Sequence, residues 1–278
     1  MRRLKSIFVT GILAGGLLLA QTASARDGLV MGVHPFKSAQ DLHTMFKPIA
    51  DYLSQKLGVP VELKFAKSYE DTAGQLGKGE LDFSYLSPTI YAKYSKTNNY
   101  QPLAQIVNEG KPSFSGVIVT KSGSPVKTMK DLKGKSFAFG DRNSTVTHVV
   151  PLYMMMKEGM SVNDLGKHAF LGNHDNIALN IIAGTFDAAG IMPDIAEKYK
   201  EKGLAVILKQ PEIPEHVFAA TKSMDAATHK KIQAALLSMD PALYKRIKGS
   251  LTGLKVFQDS DFDLLRNILG EVEKDLDK

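Results

Sequence analysis

Gly79-Glu80-Leu81-Asp82-Phe83-Ser84-Tyr85-Leu86-Ser87-Pro88-Thr89-Ile90-Tyr91-Ala92-Lys93-Tyr94 is echoed further along the chain by Gly184-Thr185-Phe186-Asp187-Ala188-Ala189-Gly190-Ile191-Met192-Pro193-Asp194-Ile195-Ala196-Glu197-Lys198-Tyr199. Gly, Asp, Pro, Ile, Lys and Tyr agree at one constant offset of 105 residues. Each copy reads as a helix stopped at its glycine, a short buried strand after the aspartate, and a new helix opened by proline. Proline suits the first helical position, where its missing N–H leaves no bond unmade. Two copies of one strand-to-helix unit predict two similar α/β lobes.

The same alternation extends outward from the repeat. Leu29 to Val33 reads as a buried strand, and Leu42, Met45, Phe46, Ile49, Ala50, Leu53 and Leu57 follow helical spacing up to Gly58. Val59, Val61, Leu63 and Phe65 then alternate as a strand does. A two-lobe clamshell follows, with ligand held between the lobes, where open α/β sheets and inter-domain clefts place their sites. Lobe 1 is expected over 26–117 and 212–278, and lobe 2 over 118–211. The crossings fall near Val117 to Thr120 and Gln210 to Pro214. The tail from about Met224 should return to pack on the first lobe.

The 278 residues include no cysteine. That excludes disulfides, thiolate nucleophiles, Fe–S clusters and Cys-ligated zinc together. Arg2, Arg3 and Lys5 precede an apolar run from Ile7 to Ala20 and the small-residue site Ala23-Ser24-Ala25, the pattern of a cleaved export signal over residues 1–25. Without those three cations the formal charge drops from +6 to +3, too little to argue for nucleic acid. The expectation is a soluble, monomeric protein of a bacterial periplasm.

Gly140-Asp141-Arg142-Asn143-Ser144-Thr145-Val146-Thr147-His148 joins an apolar strand to a helix. A helix starting there points free N–H groups and the hydroxyls of Ser144, Thr145 and Thr147 toward one spot, as an oxyanion requires. The plainer alternative is an N-cap made by Asn143 or Ser144. His174 opens a second helix on the candidate cleft. Tyr69 follows a strand end, and Tyr85 and Ser87 occupy the strand-to-helix turn of the first repeat copy.

Along nearly the whole mature chain these residues resemble the phosphonate/phosphite/phosphate-type periplasmic binding proteins of ABC transporters, which are type II clamshells. The resemblance is carried by Gly32-Val33-His34-Pro35-Phe36; Pro48-Ile49-Ala50-Asp51-Tyr52-Leu53; Ser68-Tyr69; Gly79-Glu80-Leu81-Asp82; Asp131-Leu132-Lys133-Gly134-Lys135; Ser144-Thr145-Val146-Thr147-His148 with Pro151; Asn173-His174-Asp175; and Gly184-Thr185-Phe186-Asp187-Ala188. It implies a small phosphorus oxyanion held by Tyr69, Ser144, Thr145, Thr147, His148, His174 and Asp187, with an inner-membrane permease or the sensor domain of a histidine kinase as partner. Val146 stands where the family places a further hydroxyl, and Ser113 where it often has Tyr. These departures disfavour 2-aminoethylphosphonate and leave phosphite, phosphate, a methylphosphonate-like ligand or arsenite.

Two other classes compete. Ser144, His148, His174 and Asp187 could be drawn as a hydrolase's nucleophile, base and orienter, but no Gly-x-Ser-x-Gly or Ser-x-x-Lys motif is present. A metal carrier would need clustered histidines, and the seven here are scattered without a His-Glu-x-x-His pair. No cofactor and no metal are expected.

Overall fold

A computed structural model describes residues 27–276; the expected signal, residues 1–25, lies outside them. The first run of elements is β1 (Leu29–Val33), α1 (Ala39–Leu57), β2 (Val61–Phe65), α2 (Tyr69–Lys78), β3 (Phe83–Leu86), α3 (Pro88–Asn98) and β4 (Gln101–Asn108). The short β5 (Ser113–Phe114) leads to β6 (Val117–Lys121), β7 (Ser136–Phe139), α4 (Val150–Lys157), β8 (Lys167–Phe170), α5 (His174–Ala183), β9 (Ala188–Ile191), α6 (Pro193–Tyr199) and β10 (Leu204–Lys209). The chain ends with β11 (Ile213–Pro214), β12 (Val217–Ala220), α7 (Ala226–Leu237), α8 (Pro241–Tyr244), β13 (Leu251–Lys255) and α9 (Asp263–Leu276).

Both repeat copies fold as their punctuation predicts. α2 stops at Gly79 and α5 at Gly184, with φ of 75° and 76°, a left-handed conformation that glycine adopts without a Cβ penalty. Pro88 and Pro193 each open the next helix. The aspartates also do matching work: Asp82 Oδ2 accepts from Val30 N at 2.6 Å and Asp187 Oδ2 from Ser136 N at 2.8 Å. Each carboxylate thus ties the start of the adjacent parallel strand.

The repeat reflects a larger symmetry. One sheet has the order β13-β4-β12-β3-β1-β2 and the other β10-β6-β9-β7-β8. β1 lies parallel between β2 and β3 as β7 lies parallel between β8 and β9, while β12 and β6 run antiparallel beside β3 and β9. The first sheet therefore takes strands from both ends of the described chain, and the second only from its middle. Val117 to Thr120, expected as a crossing, belongs to β6. The chain passes between the sheets just upstream, where β5 pairs with β11.

Apolar spacing explains the packing. α1 buries Leu42, Phe46, Ile49, Ala50 and Leu53 on one stripe, its start capped by Ser38 accepting from Asp41 N. The returning tail packs α7 on α1 and β4, as anticipated, but α9 lies on both α3 and α4. Lys157 Nζ on α4 meets Glu271 Oε2 on α9 at 2.8 Å. The C-terminal helix therefore spans elements attached to both sheets. Among the described residues no helix is long and apolar enough to cross a membrane.

Candidate functional site

The carboxyl ends of β1, β3, β7 and β9 open onto one seam, and contacts cross it repeatedly. Thr89 N, in the first turn of α3, donates to Thr145 Oγ1 at 3.0 Å. Ser87 Oγ donates to the Asn143 carbonyl at 3.4 Å, and Tyr69 N to Asp141 Oδ2 at 3.2 Å. The Tyr69 hydroxyl faces the Ser144 side chain. Tyr69, Ser87, Ser144 and Thr145 are thereby gathered in one buried place.

The Ser/Thr turn is wider than an ordinary helix start. Residues Thr145–Val149 form a π-turn ahead of α4, in which Val149 N donates to Ser144 O at 3.1 Å. Bonding five residues back leaves one more leading N–H without a helical acceptor than an α-helix does. Ser144 occupies the cap position, yet its side chain caps no N–H; Asn143 N is satisfied by Asp141 Oδ1 at 2.7 Å. The capping alternative therefore fails for Ser144, whose hydroxyl serves the seam. Thr147 is 1% exposed and its Oγ1 has no partner. A Cβ at Gly140 would collide with that oxygen, so the turn closes only over glycine. Val146 packs in the second apolar cluster with Phe114, Val117 and Val150, and its carbonyl accepts from Gln210 Nε2 at 2.8 Å. The valine at this point fills core.

The histidines separate. His174 is buried, and its Nδ1 accepts from Met192 N at 3.3 Å, so the neutral ring carries its proton on Nε2. Burial, reinforced by Lys37, lowers its pKa to about 3. His174 N also donates to the Phe36 carbonyl at 3.5 Å, across the seam. His148, by contrast, stands edge-on to Phe139 and Phe170 and holds the Arg142 carbonyl at 2.7 Å through Nδ1. Burial brings it to about 4 against the bond to Arg142. It braces the Gly140–Asn143 turn from behind. The Arg142 guanidinium lies 4.2 Å from the centre of the Phe170 ring.

Asp187 departs from expectation. Its Oδ2 accepts from Ser136 N and, at 2.6 Å, from Ser136 Oγ. It precedes β9, and so stands at the amino end of a strand whose carboxyl end faces the seam. The expected ligand role does not fit a carboxylate occupied there. Ser144, His148, His174 and Asp187 are each held by different partners, so the nucleophile–base–orienter arrangement is not assembled. Among the described residues no group of three or more His, Asp or Glu side chains could hold a metal ion.

Several site residues escaped the sequence reading. His34, directly after β1, is wholly buried and makes ring contacts with Tyr69, Tyr85 and His216, at centroid distances of 4.6, 5.5 and 5.6 Å. Tyr85 and His216 stack at 5.2 Å, and His216 Nδ1 lies 2.9 Å from Glu215 Oε2. Glu215 is wholly buried, with Lys248 Nζ 3.9 Å from its other oxygen. Burial, then the nearby Glu215, pushes the Tyr85 phenol well above its ordinary value, and burial with Asp141 does the same to Tyr69. Both phenols therefore stay protonated donors at neutral pH. A groove of about 600 Å³ lined by Phe114, Asp194 and Lys248 adjoins this cluster. A hollow of about 480 Å³ lined by Ser68, Asp141, Asn143 and Gly172 adjoins the Ser/Thr turn.

Comparison with known proteins bears on this arrangement. A family model described as the periplasmic substrate-binding protein of phosphonate ABC transporters matches residues 31–263. The chain is 27% identical over 225 residues to the phosphonates-binding periplasmic protein of Escherichia coli (strain K12), covering 77% of this chain and 66% of that protein. It is 24% identical over 207 residues to a probable ABC transporter phosphite binding protein of Prochlorococcus marinus (strain MIT 9301), covering 71% and 69%. The chain thus spans about two thirds of each relative's own length. In fold it matches the structure of PhnD1 from P. marinus in complex with methylphosphonate, with a TM-score of 0.81, 20% identity and coverage of 89% and 99%.

Proposed function

The chain belongs to the family of periplasmic phosphonate substrate-binding proteins of ABC transporters, and from that premise we propose that it captures a small phosphorus oxyanion in the seam between its two sheets and delivers it to an inner-membrane permease. One observation carries the reading: the widened turn at Thr145–Val149, with its leading amides, meets the protonated Tyr69 phenol at Ser144. Preorganised amides and hydroxyls hold a tetrahedral anion without a metal or a guanidinium fork. Tyr85 and Ser87 complete the first-sheet side and His174 the second. Thr147 and His148 support the turn.

Closure around the anion is driven by contacts that only the closed form makes. A permease is preferred to a sensor kinase because the matching family is a transport component. The protein acts as a monomer in the periplasm after removal of residues 1–25, so the mature chain starts at Arg26.

A thermal-shift panel of phosphite, phosphate, methylphosphonate, 2-aminoethylphosphonate, sulfate and arsenite tests the proposal, since a ligand that binds only the folded state raises its melting temperature. One or more phosphorus oxyanions should stabilise the protein in proportion to the logarithm of concentration. No shift with any of them would sink the reading.

A further inference from the structure

His34 holds a ring nitrogen in the seam whose chemistry the oxyanion reading leaves unused. Its Nδ1 lies 3.1 Å from the Tyr85 carbonyl. A carbonyl only accepts, so Nδ1 carries the proton and Nε2 of the neutral ring is a bare acceptor. That Nε2 is buried without a hydrogen-bond partner, on the side of the ring away from the Tyr85 carbonyl. An unmatched buried acceptor is costly, and donors stand near it in the seam: the phenols of Tyr69 and Tyr85, the Ser144 hydroxyl and His174 Nε2–H.

A fully ionised oxyanion offers only lone pairs, which suit those donors and repel His34 Nε2. A hydrogen-bearing one offers both. We propose that His34 Nε2 accepts the hydrogen bond of the ligand's own P–OH, so that the site selects the monoprotonated form of a titratable phosphorus oxyanion and rejects sulfonates and sulfate, which carry no such proton. This rests on the oxyanion reading of the seam and narrows its substrate class. His34 and His174 then act as a pair of opposite polarity: the first accepts from the ligand hydroxyl, and the second donates to a charged oxygen.

The groups around His34 permit this. Tyr85 approaches from β3, Tyr69 from α2, His216 from the segment before β12, and His174 from α5 across the seam. Glu215 and Lys248 stand behind His216, and Lys37 and Asp194 flank His174. Burial, with His216 near, holds His34 well below the ordinary imidazole value. It therefore remains an acceptor throughout the range in which phosphonates change charge.

Calorimetric titration of the mature chain with methylphosphonate and methanesulfonate, from about pH 6 to about pH 9 and in buffers of different ionisation heat, tests the assignment. Methylphosphonate affinity should fall roughly tenfold per pH unit above the ligand's second ionisation, with one proton taken up per ligand bound there. Methanesulfonate should bind at least about tenfold more weakly. In His34→Phe, whose ring keeps the packing but offers no acceptor, the pH slope and the preference over methanesulfonate should both collapse. Persistence of either in the variant would place the proton acceptor elsewhere, at His216 and Glu215 for example, and overturn the proposal. Should the variant not fold, the wild-type proton count decides, and a value of zero overturns it. Methylphosphonate bound without proton uptake defeats this inference alone; no response to methylphosphonate, phosphite or phosphate defeats the oxyanion reading as well.

Discussion

Thr89 N and Thr145 Oγ1 meet at 3.0 Å across the seam. The first turn of α3 thus takes its acceptor from the opposite sheet's Ser/Thr turn, and the bond exists only when the halves are together. Thr145→Val keeps the shape and removes the oxygen, leaving a buried N–H unmatched. Affinity for methylphosphonate, read by calorimetry, should fall about tenfold.

Gly140→Ala attacks the same turn from below. The new methyl would strike Thr147 Oγ1 and come within 3.0 Å of where the Gly172 carbonyl oxygen lies. The turn must shift, at a cost of about 1–3 kcal/mol. A denaturant midpoint that falls, together with weakened oxyanion binding, is the expected result.

Asp187 should behave as a strand tie. Burial opposes its ionisation, but the bonds from Ser136 Oγ and N outweigh that and hold the carboxyl below its usual range. A carboxylate depressed in the folded state stabilises above its unfolded pKa, and the contribution vanishes as pH falls through the folded one. Asp187→Ala should lower stability by about 1 kcal/mol at neutral pH, flatten the acid limb of the melting profile, and leave methylphosphonate affinity unchanged.

His148 carries a linkage of the same sign, in a higher pH window. Its folded value of about 4 lies below the ordinary 6.5, so as pH drops the unfolded chain binds a proton that the folded chain refuses. Stability should be full above pH 6.5 and decline toward pH 4, by up to about 3 kcal/mol. Thermal melts of His148→Gln across that window should show a shallower slope than wild type.

The architecture was legible because its signals are local. Gly79 and Gly184 stop helices, Pro88 and Pro193 start them, and the matched aspartates mark strand starts, all within sixteen-residue windows. Tyr69, Ser144, Thr145 and His174 were legible because each sits where a strand gives way to a helix. His34, Glu215 and His216 were not, since each is a single polar residue beside an apolar strand and their meeting depends on sheet order. A signal for His34 did exist: it ends the first strand at the carboxyl edge, where such sheets bind. That geometry also argues against Asp187, which comes before its strand. The π-turn and the inward packing of Val146 depend on a register that spacing does not encode.

β12 lies between β3 and β4, yet it comes from beyond the whole second sheet. Until about residue 220 has joined, the strands made from residues 29–108 form two fragments with open edges, while the unit from 117–209 already has every strand it needs. The middle of the polypeptide is therefore placed to organise first during biosynthesis. The outer half stays exposed to mispairing and proteolysis until its late strand closes a loop of more than a hundred residues.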